Sequence, residues 1–110
     1  MKIPHKIKVA GTTYKIIEVD KIDDSDTSGI FIWNESLIKL KASLSINAKR
    51  QTLLHELVHA IDQHYMDNAI DKQFGEMGID VISNGFHQIF KQLEGWWVHT
   101  VTTLLVFKRE

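Results

Sequence analysis

Residues 55–59 read His55-Glu56-Leu57-Val58-His59, an H-E-x-x-H pattern. On an α-helix, residues four apart differ by about 40° in azimuth and lie one turn apart. Both imidazoles therefore leave the same face and can reach one metal ion. Neutral imidazole nitrogen is a good zinc ligand. Glu56 sits about 100° round the helix from His55. That is too far to join the histidines as a ligand, but it suits a general base that reaches a metal-bound water. The spacing thus points to zinc-dependent hydrolysis. The bland alternative is a helix with two histidines and a glutamate on its solvated face, although Leu57 and Val58 supply the apolar positions of a buried helix.

A catalytic zinc needs a third protein ligand. The metzincin pattern would put Gly at position 62 and His at 65. Here Asp62 and Tyr65 stand there, with His64 one residue off, so that pattern fails. Glu76 is the better candidate, because Asp80 follows it by one helical turn on the same face. Glu76 can bind the metal while Asp80 accepts a hydrogen bond from a histidine ring N–H. Asp62 lies almost in line with His55 and His59 and stays open as a ligand, an outer partner, or a surface or capping residue; Asp71 is a weaker candidate. Ser83 and His87 continue the Glu76/Asp80 stripe, which reads as polar and solvent-facing, with the lining of a substrate groove as the alternative for His87. His87 lies about 16 Å along the helix from Glu76, out of reach of the same metal. His5, His64 and His99 read as surface or satisfied histidines, with His64 or Tyr65 as candidate donors to an oxyanion. The Asp23–Asp26 cluster lacks the ligand pattern of a calcium loop and reads as a solvated loop.

These side chains need a helix, a partner helix and something to pack on. Leu53, Leu54, Leu57, Val58 and Ile61 recur at helical spacing, so Asn47 to about His64 is expected to be an amphipathic helix capped by Ser45 or Asn47. A second helix is expected from about Gln73 to Leu93, with Val81, Ile82, Phe86, Ile89, Phe90 and Leu93 inward and irregularity at Gly78 and Gly85. Before them, Ile7, Val9, Tyr14, Ile16, Ile17 and Val19 show partial period-two spacing around a turn at Gly11. Ile30–Trp33 and Leu37–Leu40 flank Asn34-Glu35-Ser36 as a hairpin. Trp96–Phe107 is compatible with strand or helix. The expected fold is α+β: a small N-terminal antiparallel or mixed sheet packed on the H-E-x-x-H helix and a second long helix. With 110 residues, no linker and no repeat, residues 1–110 form a single domain.

Composition narrows the function classes. The formal net charge is -1, so no overall basic excess marks a nucleic-acid or anionic-membrane binder. There is no cysteine, which excludes a disulfide scaffold, thiolate zinc sites, an iron–sulfur cluster and a cysteine nucleophile. The N-terminus is not signal-like, and Trp96–Phe107 is too short to span a bilayer. A soluble cytoplasmic protein is expected, acting on a protein or peptide and using no nucleic acid. Trp33, Trp96 and Trp97 read as core or interface aromatics, and the apolar tail as a partner or dimer surface.

The run Leu53-Leu54-His55-Glu56-Leu57-Val58-His59-Ala60-Ile61, a short connection and a helix with an early Glu resemble small gluzincin-type metallopeptidases. The likeness is greatest to the short phage- and mobile-element-associated proteins related to ImmA/IrrE-like peptidases. It covers roughly residues 29 to 93; the aromatic and β-branched tail after Gly95 departs from the pattern. The resemblance implies a minimal zincin-like fold and a Zn2+ site of His55, His59 and Glu76. It also implies Glu56 as catalytic base and Asp80 as the acid one turn beyond Glu76. A phage or mobile-element regulatory protease is the role it suggests. The alternative of another class is a non-catalytic, metal-stabilised protein-binding module.

Overall fold

Alternating apolar and polar residues build the first half of the chain into a sheet. Strand β1 (Lys6–Val9) reverses through Ala10 and Gly11, both at positive φ, into β2 (Thr12–Val19). Strands β3 (Gly29–Ile32) and β4 (Leu37–Lys41) flank a 3-10 turn at Trp33–Glu35, closed by Ser36 in the left-handed region. Helices α1 (Ile46–Tyr65) and α2 (Ala69–Arg109) follow. The structure is a computed structural model. It describes the backbone of residues 2–23 and 26–109 and the side chains of residues 2–23 and 26–93.

The sheet order is β1-β2-β4-β3. The β1–β2 and β3–β4 pairs are antiparallel and the central β2–β4 pair is parallel. The architecture is therefore α+β with a mixed sheet, and the expected hairpin around Asn34–Ser36 is present. Tyr14 and Ile16 of β2 and Ile38 and Leu40 of β4 point to one face. There they form a buried cluster with Leu53 and Ala60 of α1. This packing holds α1 across the sheet with its histidines beside β3. Ser45 caps α1, its Oγ accepting from the Ala48 N–H at 3.2 Å.

Helix α2 differs from the expectation in three ways. First, its irregularity falls at Gly75 (φ 64°, ψ -160°), whereas the helix runs through Gly78 and Gly85. Second, the inward face is misassigned by periodicity. Val81, Phe86, Ile89 and Phe90 are exposed, while Ile79 and Ser83 are buried. The physical reason is that apolar residues surround most of this helix, so their spacing alone does not select a side. Ser83 suits the interior because it is small and its Oγ donates to the Asp80 carbonyl at 3.2 Å. Third, the backbone is helical through 96–107. The side chains of Trp96, Trp97, His99 and the rest of that tail lie outside the described residues. Among the described residues, no helix is long and apolar enough to cross a membrane.

The break at Gly75 restarts the helix at Glu76 and so aims that carboxylate at α1. Its φ/ψ combination belongs to a region that is essentially glycine-only. Nothing lies within 4 Å of the place a Cβ would take, so the constraint is backbone conformation and not space. Gly75→Ala is expected to lower stability by about 1–3 kcal/mol, measured by urea unfolding of the metal-free protein. Unchanged stability would contradict the break.

Candidate metal centre

Helix spacing brings the His55 and His59 rings to one face of α1, with ring centroids 5.0 Å apart. Glu76, just beyond the Gly75 break, reaches across from α2. Its Oε2 lies 2.9 Å from His55 Nε2 and its Oε1 lies 3.0 Å from His59 Nε2. Asp80, one turn further on, places Oδ1 2.8 Å from His55 Nδ1. One ligand atom from each of His55, His59 and Glu76 lies within 4.8 Å of the others. The helices are also tied by Gln51 Nε2 donating to Asn84 Oδ1 at 2.7 Å.

The donor set fits a small divalent cation. The Asp80 contact makes Nδ1 the protonated nitrogen of a neutral His55 ring, so Nε2 presents a lone pair. A lone pair facing a carboxylate oxygen at 2.9 Å needs positive charge between them, either an added proton or a cation. His59 Nε2 makes the second contact with Glu76, at 3.0 Å, where its own ring N–H can donate. Ligand atoms at 2.0–2.1 Å from a tetrahedral zinc would be about 3.3 Å apart, and one donor from each of these three side chains lies within 4.8 Å of the others. The donors are nitrogen and oxygen only, a mix suited to zinc and to neighbouring first-row metals.

Glu56 is buried beside this cluster. Burial pushes its carboxyl up from 4.5 to about 7; His55 opposes that rise, and the Glu76 carboxylate adds to it. A carboxyl that titrates near neutrality can both take and give a proton under working conditions. It borders an open cleft of about 400 Å³, lined also by Thr27, Gly29, Ile30 and Phe31 of the β3 region. Gly29 carries no side-chain chemistry, so no motif marks it. A Cβ on it would sit 2.5 Å from Thr52 Cγ2, so this strand approaches α1 as only glycine allows. A glycine opening a strand is the sequence signal for such an approach.

Asp62 is not among the metal-binding candidates in the structure. Its carboxylate accepts from the Ile70 N–H at 2.9 Å and the Asp71 N–H at 3.0 Å. It thereby caps the start of α2, where unpaired amides and the helix dipole favour an anion. Asp71 contributes its backbone to that cap and lies outside the cluster. His64 Nε2 pairs with Tyr14 OH at 2.5 Å and its ring packs on Trp33, so it is a satisfied histidine away from the cleft. Tyr65 is exposed and does not line the cleft either. The stripe read as solvent-facing turns inward at its second half: Ser83 is buried, and His87 is half-buried with a buried Nε2. Its inward turn follows the buried side of α2 marked by Ile79 and Ser83.

Two outcomes follow from this geometry. Asp62→Ala is expected to lower stability by about 1–3 kcal/mol in denaturant unfolding and to leave metal stoichiometry unchanged; loss of the metal would make Asp62 a ligand. For Glu56 the sign is fixed by its raised pKa. Between 4.5 and about 7 the folded state holds the proton that the unfolded state has released. Stability of the chelator-treated protein should therefore fall across that window. Glu56→Gln should remove the fall, gaining on the order of 3 kcal/mol at most above pH 7 and nothing near pH 4. A variant no more stable than the parent at pH 8 would contradict it.

Comparison of the chain with protein-family models, with curated proteins and with solved structures gives no match.

Proposed function

We propose that the chain is a zinc-dependent metallopeptidase of the H-E-x-x-H type, with a minimal zincin-like fold. The observation that carries this reading is the convergence of His55, His59 and Glu76, with the buried Glu56 beside them. A zinc ion held by those three residues would supply Lewis-acid polarisation of the scissile carbonyl and make water more acidic. Asp80 holds the His55 ring in the tautomer that leaves Nε2 free. Glu56 takes a proton from the attacking water and passes it to the leaving amide nitrogen. Burial, by raising its pKa to about 7, suits it to both steps.

Support for an extended protein or peptide substrate comes from β3. It is the sheet's edge on the cleft side. Lys41 N–H donates to Ser28 O at 2.8 Å. By antiparallel alternation Ser28, Ile30 and Ile32 then direct their main-chain groups toward β4. Gly29 and Phe31 direct theirs outward, beside Glu56, where an added strand can pair with them. The likeness to small gluzincin-type peptidases suggests a phage or mobile-element regulatory protease acting in the cytoplasm.

The test is hydrolysis of an unfolded protein such as casein by zinc-loaded protein purified without a histidine tag. Cleavage is expected, abolished by chelation and restored by zinc. Glu56→Gln should bind zinc as the parent does and cleave about 10²–10⁴-fold more slowly. His59→Ala should lose zinc. A Glu56→Gln variant as fast as the parent would remove Glu56 as base. Zinc bound without any cleavage would favour the metal-stabilised binding module.

A further inference from the structure

Among the described residues, the helices cover one face of the sheet. The core side chains Tyr14, Ile16, Ile38 and Leu40 meet α1, so the alternate residues of each strand face the other way. On β1, β2 and β4 those residues include Lys6, Lys8, Lys15, Lys39 and Lys41, and no Asp or Glu. Glu18, on the helix side, pairs with Lys49 of α1. Strand register sets the lysines in a diagonal row. Lys6 stands opposite Lys15 on the neighbouring strand, and Lys39 and Lys41 stand one and two same-face steps further along on β4. With strands about 4.8 Å apart and same-face residues about 6.7 Å apart, the row is about 20 Å long.

Two features set this face apart from an ordinary solvated one. The Lys6–Lys15 pair lies between hydrogen-bonded pairs, since Ile16 N–H donates to His5 O. That is the position where facing side chains come closest, and like charges there are destabilising. Among the described residues none of the five lysines has a salt-bridge partner. In addition, the central β2–β4 pair is parallel. All-parallel sheets are covered on both faces; here the open side of the parallel pair carries Ile17 and Leu37 among the lysines, with Ile32 beside Leu37 on the edge strand.

We infer that this sheet face docks an acidic, amphipathic segment of a partner protein, whose carboxylates meet the lysine row and whose apolar residues cover Ile17 and Leu37. Charge complementarity selects an anion, and the interleaved aliphatic side chains select its class. A nucleic acid would leave them uncovered and would find no aromatic side chain at these positions on which to stack a base. The formal net charge of -1 conceals the row because carboxylates elsewhere, including those of the cleft, balance it. This surface lies across the sheet from the metal cluster and does not depend on the peptidase reading.

The test is fluorescence anisotropy with the full chain and a labelled helical peptide of about 20 residues, Leu at core positions and Glu elsewhere. The peptide should bind with or without chelator, and raising the salt from about 0.05 to about 0.5 M should weaken it. K15E/K39E should weaken binding at least about tenfold, K15Q/K39Q less, and Ile17→Ser should also weaken it. All three should keep the parent's circular dichroism, because these side chains lie outside the core. Absence of binding, or binding indifferent to both K15E/K39E and K15Q/K39Q, would overturn the inference. So would tighter binding to a thymidine oligonucleotide or to phosphatidylserine vesicles than to the peptide.

Discussion

Two imidazole nitrogens and one carboxylate meet at 2.9 and 3.0 Å between α1 and α2, and a proton or a metal cation must lie in each contact. A proton on each ring would make it an ordinary exposed ion pair, worth little in water because Glu76 is largely solvated. A metal cation would make it the strongest local interaction in the molecule. The rest of the fold is arranged around that meeting. The sheet fixes α1 through Leu53 and Ala60, Asp62 fixes where α2 begins, and Gly75 fixes the direction from which Glu76 arrives.

The same arrangement separates two jobs that carboxylates do in this small domain. Asp62 is buried but has a backbone amide on each oxygen, so its charge is spent on helix initiation. Glu56 is buried with its pKa pushed up to about 7, so it is poised to exchange a proton. Glu76 and Asp80 are exposed and oriented by imidazole. Environment, not residue type, assigns the role of each.

What was legible in the sequence is what depends on one helix. His55, Glu56 and His59 are fixed by a four-residue spacing, and Glu76 with Asp80 by another; the structure brings all but Glu56 into direct contact. The capping role of Asp62 was harder to see, because its partners are amides reached only after the chain reverses through Asp67 and Asn68, both left-handed. The inward face of α2 was misread because Val81, Phe86, Ile89 and Phe90 are as apolar as a core, and only the position of α1 decides that Ile79 and Ser83 are buried instead. The lysine row was invisible to net charge. It exists only once strand register lays Lys6 beside Lys15 and carries β4 alongside β2.

The central claim is that His55, His59 and Glu76 together hold one metal ion. Anomalous diffraction at the zinc edge from crystals of zinc-loaded protein tests it most directly. One peak is expected within about 2.0–2.2 Å of His55 Nε2, His59 Nε2 and a Glu76 carboxylate oxygen, with Asp80 still on His55 Nδ1 and Asp62 still on the amides of Ile70 and Asp71. A peak bound elsewhere, or none between these three side chains, would contradict it.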